Sequence, residues 1–132
     1  MKKALLKLLN KIAKEFDCSV TLGDSFNYYH FESKIEVAEI AEPSEMDLAF
    51  LALARENGLN KIVDAFTISF FHELGHCETI DEFDDDCFDP EFKNALTLEQ
   101  YFYLDEEFAA TDWAIDFCNE HLDLVRAIQK LQ

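Results

Sequence analysis

Apolar side chains recur at helical spacing in the opening stretch MKKALLKLLNKIAKEF. Leu5, Leu8, Leu9, Ile12 and Phe16 share one stripe, with lysines between them. That spacing predicts an amphipathic helix over about residues 2–16, packed on a core. The pattern then shortens. Ser19–Leu22, Asn27–Phe31 and Lys34–Ile40 read as three strands, separated by the turn signals Gly23-Asp24 and Glu32-Ser33. In Lys34-Ile-Glu-Val-Ala38 the apolar residues alternate with others, as in a strand buried on one face.

Helical signals return at Pro43-Ser44. Ser44 with Asp47 three residues on resembles a capping box, and Asn57-Gly58 is a stop signal. Asn60 is a suitable cap for a third helix over about 61–78. That helix is apolar nearly all round, through Ile62, Val63, Ala65, Phe66, Ile68, Phe70, Phe71, Leu74 and Cys77, so it is expected to be buried. Residues 79–96 read as acidic and irregular. Thr97 with Gln100 forms a second capping box, opening a helix to about 118, and a last helix over roughly 120–131 follows with or without a break. The sum is an α+β fold: an N-terminal helix, a small, mostly antiparallel sheet, and a helical half. The 132 residues suit one domain, residues 1–132.

Composition narrows the function. Hydrophobic residues make up 49 % and aromatics 14 %, which excludes a disordered chain. Net charge is −17, and the first fourteen residues carry five lysines and no acid. The rest therefore sets six basic against 28 acidic side chains, a balance of −22. Such acidity repels phosphate backbones, so direct nucleic-acid binding is not expected. No apolar run reaches membrane-spanning length, and lysines at 7, 11 and 14 break any leader-like core. Cys18, Cys77, Cys87 and Cys118 form no CxxC pair. Reduced thiols and a cytoplasmic setting are expected, with Cys77 in the core.

The chemistry centres on SFFHELGHCET, residues 69–79. On a helix, His72 and His76 lie one turn apart and about 40° round the axis. Both imidazoles can reach one point, which is how two nitrogen ligands for Zn²⁺ are held. Glu73, offset by about 100°, can take a proton from a metal-activated water. Three ionisable residues on a buried helix are costly unless paired or bound to metal. Gly75 permits a neighbouring element to approach closely.

A catalytic zinc needs a third protein ligand. Six residues after His76, where one zincin class has a histidine, this chain has Glu82. The ligand is therefore expected on the helix holding YFYLDEEFAATDWAIDFC. There Asp105, Asp112 and Asp116 define a wet stripe, while Glu107 shares the opposite face with Tyr103, Ala110, Ala114 and Cys118. Glu107 is preferred. Glu106 on the flank and His121 beyond are the alternatives.

HELGH followed some thirty residues later by Glu107-x-x-Ala110-x-x-x-Ala114 resembles the gluzincin-like zinc metallopeptidases, and among them the ImmA/IrrE family of phages, mobile elements and bacteria. The resemblance covers about residues 34–115. It implies a minimal zincin-like domain with Zn²⁺ held by His72, His76 and Glu107, and with Glu73 as catalytic base. It implies a protein or peptide substrate, such as a regulatory protein, lying along an edge strand, here Lys34–Ile40. One position departs: the family often has Asn or Asp directly after the first alanine, where this chain has Thr111 and then Asp112.

Peptide hydrolysis also needs a donor for the charge that develops on the carbonyl oxygen. Tyr101, Tyr103, His30 and His121 are the candidates. The acidic loop Asp81–Asp89 reads as a solvated loop, with selection of basic segments and calcium binding as lesser roles. Two other functions compete. One is an acidic binding protein, a DNA mimic or inhibitor, supported by the charge. The other is a degenerate zincin that binds metal without cleaving.

Overall fold

A computed structural model of the chain describes residues 1–39, 42–83, 93 and 95–132. The first helix, α1 (Lys3–Lys14), buries Leu5, Leu9, Ile12 and Ala13 and keeps its lysines on the other side. Asp17 then takes a left-handed backbone conformation (φ 59°). The Cys18 N–H closes back on the Ala13 carbonyl at 3.0 Å, turning the chain into β1 (Ser19–Gly23).

The sheet has three strands in the order β1-β3-β2, with β2 at Asn27–Tyr29 and β3 at Lys34–Ala38. A 3-10 turn, His30–Glu32, joins β2 to β3 in an antiparallel pair, aided by Ser33 at φ 46°. β3 then inserts between β2 and β1 and runs parallel to β1 over five residue pairs. The sheet is therefore mixed, not mostly antiparallel. Strand alternation specifies which face is buried but not strand order. Ile35 and Val37, both fully buried, point from β3 into the core beside Val20 of β1. The expected alternation of β3 is borne out. Its expected place at an edge is not: Lys34–Ala38 is the central strand, and Ile40 lies outside the described residues.

The helical half begins with α2 (Glu45–Glu56). The Ser44–Asp47 capping box forms in both directions. At the far end Gly58, at φ 103°, lets its N–H reach Arg55 and the Leu59 N–H reach Ala54, a Schellman closure. Asp64, not Asn60, caps α3 (Ala65–Thr79), accepting from the Thr67 N–H at 2.9 Å. Asn60 instead holds a turn, its side-chain oxygen accepting from the Ile62 N–H, so the helix starts one turn later than expected.

Thr97 and Gln100 form their capping box, but α4 (Leu98–Phe102) stops after five residues. Leu104, with ψ 141°, interrupts it, and α5 (Asp105–Glu120) begins afresh. His121 (ψ 50°) separates α5 from α6 (Leu122–Lys130). The described residues thus contain six α-helices and a three-stranded mixed sheet packed on them. Phe70, Phe71, Ile68 and Leu74 of α3 sit at the centre of the core, fully buried. Burial of each such side chain contributes roughly 1.5–3 kcal/mol. No helix among the described residues is long and apolar enough to cross a membrane. The expectations for the acidic loop, including calcium binding, fall mostly on residues 84–90, outside the described ones.

Candidate metal centre

Every residue of α3 from Ala65 to His76 is buried. The helix is held this deep by α5, which crosses it at Gly75. A methyl group at Gly75 would stand 2.3 Å from the Ala110 carbonyl oxygen, so only glycine allows this contact. Ala110 and Ala114, both fully buried, keep the facing side of α5 equally low. The close crossing brings one turn of α5 over the paired histidines of α3.

Glu107 occupies that turn. Its Oε1 lies 3.0 Å from His72 Nε2 and 2.9 Å from His76 Nε2. The carboxylate is 1 % exposed. A buried carboxylate costs several kcal/mol unless its oxygens are compensated. Here they are: the two imidazoles hold Oε1, and Lys93 Nζ pairs with Oε2. The Tyr101 hydroxyl is a further hydrogen-bond partner of Glu107. Lys93 also reaches Glu106 Oε1 at 3.3 Å.

His72 is oriented from behind. Its Nδ1 stands 2.8 Å from the Thr111 hydroxyl, itself fully buried one helical turn after Glu107. Phe50 abuts the His72 ring edge-to-face at 5.1 Å, and Tyr28 of β2 stacks on the His76 ring at 5.9 Å. Two rings and a hydroxyl thus limit how far either imidazole can turn.

The electrostatics follow from this packing. Burial opposes charge on His72, but the hydrogen bond to the Glu107 carboxylate and the nearby Glu73 outweigh it and raise the His72 pKa. Burial also acts to raise Glu107, yet the His76 and His72 contacts dominate and hold its carboxyl well below the usual range. His72 thus presents Nε2 to Glu107 and Nδ1 to Thr111. Glu73 is raised, chiefly by burial and against the pull of His72 and His76. Burial, then Glu107 and Glu73, raises Tyr101, so its phenol keeps its proton and remains a donor.

His72, Glu73 and His76 offer ligand atoms within 4.8 Å of one another, a buried group that could hold a metal ion. The donor set suits one. Ligands about 2.0–2.1 Å from a tetrahedral metal lie roughly 3.3 Å apart. The observed 2.9–3.0 Å contacts need to open by only a few tenths of an ångström. The tautomer also fits, since a proton on His72 Nδ1, given to Thr111, leaves Nε2 to face the metal.

A cavity of about 660 Å³ opens on this group. His72 and Glu73 lie in its wall with Phe26, Phe50, Lys93 and Tyr101. Of the residues weighed as oxyanion donors, only Tyr101 is among its lining residues. Tyr103 is 48 % exposed and stacks on Phe108. His121 is exposed, bonded to the Phe117 carbonyl. His30 packs against the exposed Phe31. Glu106 is buried but pairs with Lys93 rather than the histidines. Asp105, Asp112 and Asp116 are exposed, as the wet stripe required.

Sequence reasoning missed Lys93. Its signal was visible, for it is the one Lys or Arg between Lys61 and Arg126. Such a lone cation amid acids marks a charge with a specific partner. Cys77, expected in the core, is only half-buried and touches Cys18. Comparisons with family models, with curated proteins and with solved structures find no match to this chain.

Proposed function

We propose that this protein is a zinc-dependent metallopeptidase of the HExxH, gluzincin-like kind, resembling the ImmA/IrrE family and cutting a peptide bond in a protein substrate. The observation that carries the reading is that His72 Nε2 and His76 Nε2 both lie within 3.0 Å of Glu107 Oε1, beside an open cavity. Zn²⁺, when bound, supplies a Lewis acid that acidifies a water and polarises a carbonyl.

The chain's own residues do the rest. His72, His76 and Glu107 hold the ion, and Thr111 fixes the His72 ring. Glu73, with its pKa raised, accepts a proton from water and hands it to the departing amine nitrogen. The Tyr101 hydroxyl donates to the oxygen on which charge develops. Phe26 and Phe50 receive apolar substrate side chains. The extended substrate backbone runs beside β2, the edge strand whose Tyr28 covers His76. The setting is cytoplasmic, and the substrate class is a regulatory protein of a phage or mobile element.

Purified wild type and Glu73→Gln, both loaded with zinc, test this on candidate partner proteins. Cleavage by the wild type that falls by at least about 100-fold in the variant, with metal content unchanged, supports the peptidase. Equal behaviour of the two refutes it. The high acidity favours a second reading, an inhibitor or DNA mimic that occupies a basic site. In that case Glu73→Gln binds a DNA-binding partner as tightly as the wild type, and neither form cuts it.

A further inference from the structure

Cys18 and Cys77 bring their sulfurs to 2.8 Å. Less than an ångström separates that approach from a covalent bond, about 2.0 Å. The two residues are 59 positions apart in the chain. Each is held by a different element. Cys18 is fixed by the left-handed turn at Asp17 and by its own N–H on Ala13. Cys77 is carried on the last turns of α3, and its thiol donates to the Phe16 carbonyl at 3.2 Å.

We propose that Cys18 and Cys77 form a reversible intramolecular disulfide, making this pair a site of oxidative modification. Cys77 reacts first, because it is half-buried while Cys18 is only 7 % exposed. With a peroxide as oxidant, the Cys77 thiolate attacks one peroxide oxygen, the O–O bond breaks, and a sulfenic acid and hydroxide form. The Cys18 thiolate then attacks the Cys77 sulfur. The S–S bond forms, the S–O bond breaks, and hydroxide leaves. The two thiol protons end in the two waters, and peroxide is the species reduced.

The bond joins the α1–β1 corner to the end of the helix that carries His72 and His76. Its nearest route to the metal-ligating side chains is short. Tyr28 hydrogen-bonds Cys77 through its hydroxyl and stacks its ring on His76. Oxidation removes the thiol proton from Cys77 and so changes what Tyr28 and the Phe16 carbonyl meet. Reversibility in a reducing cell suits a sensor rather than a structural link.

The full-length reduced protein is treated with stoichiometric hydrogen peroxide and its intact mass is measured. The expected result is a loss of about 2 Da, restored by dithiothreitol, with a peptide pair joining Cys18 to Cys77. Cys118→Ser, at a fully buried thiol away from the pair, keeps the loss. Cys18→Ser abolishes it and leaves Cys77 to add oxygen. Peptide mapping of the wild type needs no variant to fold. Finding oxygen added at Cys77 beside a reduced Cys18, or a link between any other cysteines, overturns the proposal.

Discussion

Thr111 Oγ1 lies 2.8 Å from His72 Nδ1, both atoms deep between α3 and α5. A threonine hydroxyl thus makes the contact that orients the His72 ring. Replacing it tests whether the contact sets the tautomer. Thr111→Val keeps the shape and removes the acceptor, and is expected to weaken zinc binding by roughly 10–100-fold. Thr111→Ser is expected to restore most of it. Chelator competition measures both.

Lys93 balances the carboxylates of Glu106 and Glu107. Without it, the buried carboxylates of two consecutive residues lose the cation they share. Lys93→Ala is expected to destabilise the metal-free protein by about 3 kcal/mol. The added cation of a bound metal offsets part of that loss, so zinc raises the melting temperature more in the variant than in the wild type. Equal increments in the two would remove Lys93 from the centre's electrostatics.

Gly75 sets the spacing of the two helices. In Gly75→Ala the new methyl meets the Ala110 backbone, which cannot swing away as a side chain can. The expected cost is about 1–3 kcal/mol, read by denaturant unfolding. Zinc affinity falls as well, because the same shift moves Glu107 from the histidines.

The metal-free protein should respond to pH from both sides. Glu107 is lowered, so its contribution to stability is present above the unfolded carboxylate value and is lost as pH falls. His72 is raised, so its contribution is complete below the ordinary histidine value of about 6.5 and is lost as pH rises through the raised one. Thermal stability without metal therefore peaks between these limits. On the alkaline side zinc takes the place of the proton and restores it. A flat profile in thermal melts from pH 2 to 9 would contradict this coupling.

Local signals carried most of the secondary structure. Ser44 with Asp47, and Thr97 with Gln100, act within four residues and formed as read. The inward direction of Glu107 was legible for a similar reason, since it and the exposed Asp105, Asp112 and Asp116 share one unbroken helix. The same angular argument failed for Tyr103, which lies across the break at Leu104 and points to solvent. Asn60 and Asp64 are both able caps, and tertiary contacts chose between them: Asn119 takes the Asn60 N–H, and Gln129 takes that of Asp64. Strand order was illegible because the insertion of β3 between β1 and β2 is a long-range choice. Lys93 was passed over because its partners come from a different helix, and spacing says nothing about them.

The central claim is that His72, His76 and Glu107 share one divalent ion. Metal analysis of protein purified without added zinc, repeated for His72→Ala, His76→Ala and Glu107→Gln, tests it most directly. The account predicts about one zinc per wild-type chain and little in any variant that still folds by circular dichroism. A wild type without metal that also fails to take up zinc on titration, or variants that keep a full equivalent, would contradict it.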